Sequence, residues 1–382
     1  MKEEKFIEFI RYCVNDKVAL PRDIEKMDWA GLFRFCQEQA IAGVVFQRIE
    51  ELKDGKIEIP REVLLPWFAL SEQIKQRNIL MNKRCVELTE MLRKDGFDSC
   101  ILKGQGNTLL YPAPYSRTPG DIDVWVIPTS KVEGHGSKVE GQRTAIKYSV
   151  KERRKVVTDF VKRRFPETRI RYQHIDYPVF PDMDVEVHFI PTAKNNPLHN
   201  KRIQQWAEEQ KETQCANMVS LPDGIGQIAI PTSEFNVIYQ LSHLMHHFFD
   251  EGIGLRQMMD YYYLLRSSTK LEIRKEKLEM TLKSLGLWKF AGAVMYVMRE
   301  VFGMEEQFMI APVDERRGRT LLNEILKGGN FGKYSGLTQH STGGKYFLKH
   351  WRNLHFVREY PSEALCEPIF RTWHFFWRLR HC

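Results

Sequence analysis

The stretch Gly120-Asp121-Ile122-Asp123-Val124-Trp125-Val126 limits what this chain can fold into more than any other. Successive side chains of a strand point to opposite faces. Ile122, Val124 and Val126 therefore share one face, and Asp121, Asp123 and Trp125 share the other. Two strand steps set the aspartate Cα atoms roughly 6.5 Å apart, close enough for both carboxylates to hold one metal ion or ion pair. Aspartate is depleted in strands, so the pair calls for a reason beyond solubility. Upstream, Cys100 to Leu102 reads as a strand and Lys103 to Gly106 as a glycine-bearing turn.

A second acidic strand is expected over Met183 to Ile190, with Met183, Val185, Val187 and Phe189 on one face and Asp184, Glu186 and His188 on the other. At an effective dielectric of ~20, two carboxylates ~5 Å apart repel by about 3 kcal/mol. Converging acids therefore call for a divalent cation. Mg²⁺ suits them, because it takes one or two carboxylates together with phosphate oxygens and water. Two such ions can activate an attacking oxygen and stabilise leaving pyrophosphate.

At 382 residues, 43% hydrophobic and 28% charged, the chain has the make-up of a globular protein of one large or two ordinary domains. No apolar run approaches the ~18 residues of a membrane span, and the opening MKEEKFIEF lacks a signal-peptide core. A cytoplasmic location is the expectation. The seven cysteines are scattered and never spaced C-x-x-C, which argues against a disulfide framework and a cysteine zinc site. The net charge of +8 is a mild bias towards polyanions.

Helical spacing dominates on both sides of the acidic strands. Asp28 is expected to cap a helix ending near Leu52, and a long helix is expected from about Val63 to Lys94, closed by Gly96. SKVEG occurs twice, at Ser130 to Gly134 and Ser137 to Gly141, and reads as a local duplication in an exposed loop. The basic helix from Tyr148 to Phe165 reads as a solvated charged face over an apolar stripe, with phosphate attraction as the rival. Leu198 to Ala229 reads as a polar, irregular connector with a helix at Trp206 and a turn at Pro222-Asp223-Gly224. Thr232 or Ser233 then caps a histidine-rich helix. His243 and His247 stand at i and i+4, but no glutamate takes the place that H-E-x-x-H requires, so they read as ordinary helix histidines. The aromatic, basic tail from Tyr346 reads as a packed helix rather than a base-stacking or membrane-interface segment.

Taken together, Lys103-Gly104, the block Arg117-x-x-Gly120-Asp121-Ile122-Asp123 and Val185-Glu186-Val187-His188 resemble a bacterial nucleotidyltransferase-like family of the polymerase-β-type superfamily. Downstream, His243, His247, Gly252, Arg256 and Asp260 resemble the elements of its following helical region. The resemblance spans about residues 75 to 265. It implies an α+β fold: a small mixed β-sheet nucleotidyltransferase core over 96–230, an N-terminal helical region over 1–95 and a C-terminal helical domain over 231–382. It implies Asp121, Asp123 and Glu186 as catalytic metal ligands for Mg²⁺ or Mn²⁺, with Glu186 activating the incoming hydroxyl and Asp184 as its competitor. Lys103, Gly104, Gln105, Arg117, Gly120 and His188 would surround the nucleotide. Lys103 and Arg117 would supply charge to the triphosphate, and His188 would orient Glu186. Gln105 departs from the pattern, which has Gly or Ser there, and its bulk is expected to narrow the triphosphate pocket or change the donor. The implied activity is transfer of a nucleoside monophosphate from an NTP, such as ATP, to a small-molecule, RNA or protein hydroxyl, releasing pyrophosphate. The alternative is a catalytically inactive nucleotide- or RNA-binding module that keeps the fold.

Overall fold

The computed structural model describes residues 2–52, 57–129, 148–268, 275–334 and 351–381. The SKVEG repeat lies outside them. Helices α1 (Lys2–Val14), α2 (Trp29–Glu38), α3 (Ala42–Glu51) and α4 (Arg61–Lys94) precede the sheet, and a short α5 (Gly104–Thr108) follows its first strand. Asp28 caps α2, its carboxylate accepting the Gly31 N–H at 2.9 Å. The single helix expected from Asp28 to Leu52 is instead two, broken where Ala40 takes φ 55°. Gln39 secures the break from afar: its Nε2 donates to the Ile325 carbonyl at 3.1 Å and its Oε1 accepts the Leu255 N–H at 2.9 Å. No local sequence signal announces partners so distant in the chain.

The central sheet has four strands in the order β1 (Phe97–Leu102), β2 (Ile122–Pro128), β4 (Val185–His188), β3 (His174–Asp176). The β2–β4 pair is parallel and the other two are antiparallel, so the chain must cross over between β2 and β4. Part of that crossover is α6 (Val150–Arg164), which starts in a capping box formed by Ser149 and Glu152. The aliphatic face expected from alternation is buried. Ile122, Val124, Val126, Val185 and Val187 pack with Met81, Cys85 and Leu88 of α4 and Val157, Phe160 and Val161 of α6. The opposite face carries the acids. It is covered in part where Trp125, Cys100 and Leu102 meet Phe235 and Tyr239 of α9 (Ser233–Asp250), which Thr232 caps.

The basic helix α6 is less solvated than its composition suggests. Arg153 is buried, donating to the Phe189 carbonyl at 2.8 Å and to Glu208 at 2.7 Å. Arg154 lies 5.0 Å from the centre of the Tyr172 ring, and Arg164 pairs with Asp95 at 2.8 Å. Lys151, Lys155 and Arg163 are among its residues that stay exposed. The expected connector also has structure: α7 (Pro197–Glu208), α8 (Lys211–Ala216) and a hairpin of β5 (Met218–Ser220) and β6 (Gln227–Ala229).

After α9 come α10 (Leu255–Ser267), α11 (Lys275–Ser284), α12 (Trp288–Phe302) and α13 (Glu315–Gly328). The largest apolar core joins the two ends of the chain. Phe9, Leu32 and Trp67 share it with Leu241, Tyr261, Val294 and Ile325. The C-terminal helix Pro361–His381 turns Glu363, Ala364 and Glu367 inwards, while Ile369, Trp373 and Phe376 stay exposed. Among the described residues, no helix is long and apolar enough to cross a membrane.

Candidate functional site

Strand register builds the site. Asp123 of β2 stands opposite Glu186 of β4, which stands opposite Asp176 of β3. One step along, Trp125, His188 and His174 form the next row of the same face. Parallel pairing of β2 with β4 therefore brings together two acidic motifs about sixty residues apart in sequence. Asp121 lies just before β2, exposed at its mouth. One oxygen from each of Asp121, Asp123 and Glu186 lies within 4.8 Å of the others. Asp184 is exposed outside β4, belongs to no metal-type cluster among the described residues, and gives its carbonyl to the Ile122 N–H.

The turn after β1 aims a cation at these acids. Lys103 takes φ 52° and ψ −135°, a strained combination for a residue with a Cβ, and Gly104 follows at φ 38°. The Lys103 ammonium reaches Asp123 Oδ2 at 2.8 Å and donates to His243 Nε2 at 3.0 Å. The other Asp123 oxygen, Oδ1, lies 2.8 Å from His188 Nε2. Burial alone would raise the Asp123 carboxyl, but Lys103 and His188 more than offset it and hold it well below the usual range. Burial disfavours the charged form of His188, yet its bonds to Asp123 and Glu186 raise it to about 9. His174 has too little compensation, and burial takes it down to about 3. Asp121 is raised, chiefly by the charge of Asp123. His243 is pushed well below its ordinary value by burial and by Lys103, which keeps its ring a neutral acceptor.

Lys103, Gly104, Gly120, Asp121, Asp123 and His243 line one cleft with Arg256 and Phe331. Its cavity volume is about 40 Å³, room for a few waters. Anything the size of a nucleotide has to lie across the open mouth. Two expected nucleotide-binding residues have protein partners of their own. Gln105 is buried against α4, donating to Asn82 Oδ1 at 2.5 Å, so its bulk does not narrow the cleft. Arg117 borders the cleft, but its guanidinium makes a two-point bond to Asp260, at 2.7 and 2.8 Å, with Tyr111 donating to the same carboxylate at 2.6 Å. That buried triad ties the loop before β2 to α10.

The less committed cation is Arg256. It is buried and donates to the Thr118 carbonyl at 3.1 Å, and its Nε has no hydrogen-bond partner. Burial and nearby Arg117 lower it to about 10, still charged at neutral pH. Arg256 was visible in the sequence only as part of the downstream resemblance. His174 was less visible still, its one signal being the alternation His174-Ile175-Asp176.

A small mixed sheet thus sets carboxylates from two parallel strands beside a cleft that also holds Lys103 and Arg256. Residues 25–303 match the family described as "Uncharacterised nucleotidyltransferase". The chain belongs to that family. A crystal structure of an antigenic nucleotidyltransferase-like protein from Paracoccidioides brasiliensis is similar over 57% of this chain and 94% of its own, at 14% identity and a TM-score of 0.30. No curated protein matches the sequence.

Proposed function

We propose that this chain is a metal-dependent nucleotidyltransferase of the polymerase-β type, moving a nucleoside monophosphate from an NTP to a hydroxyl acceptor and releasing pyrophosphate. The observation that carries this reading is the convergence of Asp121, Asp123 and Glu186 oxygens within 4.8 Å at a cleft containing Lys103 and Arg256. An all-oxygen donor set of this kind fits Mg²⁺ or Mn²⁺. Such ions, when bound, neutralise developing phosphate charge and lower the pKa of an attacking hydroxyl. Asp121 and Asp123 would hold them. Glu186, part-exposed beside this pair, would join them as a ligand and take the acceptor's proton. Asp123 already carries Lys103 on one oxygen and His188 on the other, so a cation held there would compete with Lys103 for Oδ2. The Lys103 ammonium and Arg256 would supply positive charge to the phosphates. Arg117 acts through Asp260 as a positioning residue.

The same double engagement of Asp123 favours a second reading, a non-catalytic module that binds nucleotide without transferring it. Incubation with labelled NTPs, Mg²⁺ or Mn²⁺ and cell extract separates the two. Labelled product from wild type but not from Asp123→Ala supports transfer. Metal-dependent NTP binding by calorimetry, lost in Asp121→Asn and without any labelled product, supports the module.

A further inference from the structure

The polar face of the sheet holds a second constellation, richer in nitrogen than the first. His174 Nδ1 lies 3.1 Å from Glu186 Oε2, and His188 Nε2 lies 3.5 Å from the same oxygen. The two rings are 5.0 Å apart between centroids, and one donor atom from each of the three residues falls within 4.8 Å of the others. A tetrahedral ion with bonds near 2.0–2.1 Å has ligand-to-ligand edges of roughly 3.3 Å, which both measured distances approach.

Metal-ligating histidines give their outer nitrogen to an oxygen, and His188 does so here. His188 Nδ1 is 3.4 Å from the Ile190 carbonyl, which leaves Nε2 as the ligating atom. His174 Nε2 is buried without a hydrogen-bond partner and is 3.8 Å from Asp176 Oδ1. Side-chain exposures of 14% for His174 and 27% for Glu186 leave a route from solvent.

We infer that His174, Glu186 and His188 form a binding site for a tetrahedral transition cation of the Zn²⁺ class, sharing Glu186 with the acidic cluster. Two imidazoles and one carboxylate suit such an ion and not Mg²⁺, which demands octahedral oxygen. A His₂Glu set also leaves a fourth position, towards Asp123 Oδ1 or a water, which is the arrangement of an open rather than a closed site. Binding here displaces the proton that His188 shares with Asp123. The histidines of α9 supply no comparable set among the described residues.

The test uses the full chain, stripped with chelator and titrated with Co²⁺ without nucleotide, so that failure of nucleotide transfer and failure of this site are separate results. One equivalent is expected to bind with the intense visible absorption of tetrahedral cobalt and to be displaced by Zn²⁺ but not by millimolar Mg²⁺. Asp121→Asn should keep the spectrum. His174→Ala should lose it and weaken Co²⁺ binding at least tenfold, as should His174→Gln if the alanine variant fails to fold. Absence of a tetrahedral spectrum in wild type, or unchanged affinity in the folded His174 variant, overturns the site. Loss of the spectrum in Asp121→Asn to the same extent also overturns it as a site distinct from the acidic cluster.

Discussion

Asp123→Asn and Asp121→Asn each remove one negative charge from the same strand region, and they are expected to move stability in opposite directions. Asp123 is 4% exposed, with Lys103 on one oxygen and His188 on the other. Removing one partner of a buried, hydrogen-bonded charge group costs about 3–5 kcal/mol. Lys103 keeps His243 and His188 keeps Glu186 at 3.5 Å, so the low end, about 3 kcal/mol, is expected. Asp121 is exposed and has no cation within bonding distance among the described residues, but an oxygen of Asp123 lies within 4.8 Å of its own. Two charges at that separation repel by about 1 kcal/mol in water and about 3.5 at an effective dielectric of 20. Solvent screening at an exposed position keeps the gain from Asp121→Asn near 1 kcal/mol. Urea denaturation at pH 7 with chelator present gives both numbers from midpoints at unchanged slope. Asp123→Asn within ~0.5 kcal/mol of wild type, or Asp121→Asn less stable by more than ~1 kcal/mol, would refute the electrostatic account.

Asp260→Asn leaves the buried Arg117 guanidinium uncompensated and is expected to cost about 3–5 kcal/mol in the same denaturation experiment, whereas Arg117→Met with Asp260→Leu should recover most of the loss. His188 supplies a pH dependence. Its folded value of about 9 lies above its ordinary 6.5, so its contribution is fully present below pH 6.5 and is lost as pH rises through 9. Up to about 3 kcal/mol should disappear from the metal-free protein over that window. His188→Gln should flatten that part of the stability profile, and an unchanged slope counts against the assignment.

Much of the site was legible because it rests on short-range rules. Strand alternation separates Ile122 and Val124 from Asp123, and Val185 and Val187 from Glu186, whatever else the chain does. Asp28 and Thr232 announce their helices through a cap that depends only on the next three residues. What was not legible depends on partners far away in sequence. Arg117 reads as a free cation until Asp260, on α10, meets it. Gln105 reads as a pocket wall until Asn82, on α4, turns it inwards. Arg153 reads as solvated until Glu208 and the Phe189 carbonyl bury it.

The sequence by itself determined which face of each acidic strand is polar, and that the chain surrounds those strands with helices. It could not determine the neighbours. The order β1–β2–β4–β3 and its register decide that Asp123 faces Glu186 and that His174 joins His188. Packing against α9 and α10 decides how the cations of the cleft are committed: Lys103 held between Asp123 and His243, Arg256 left with a spare donor, Arg117 tied to Asp260. The physical reason is range. A backbone pattern fixes side-chain direction within a few residues, whereas electrostatic pairing is settled only when elements from opposite ends of the chain come within a few ångströms.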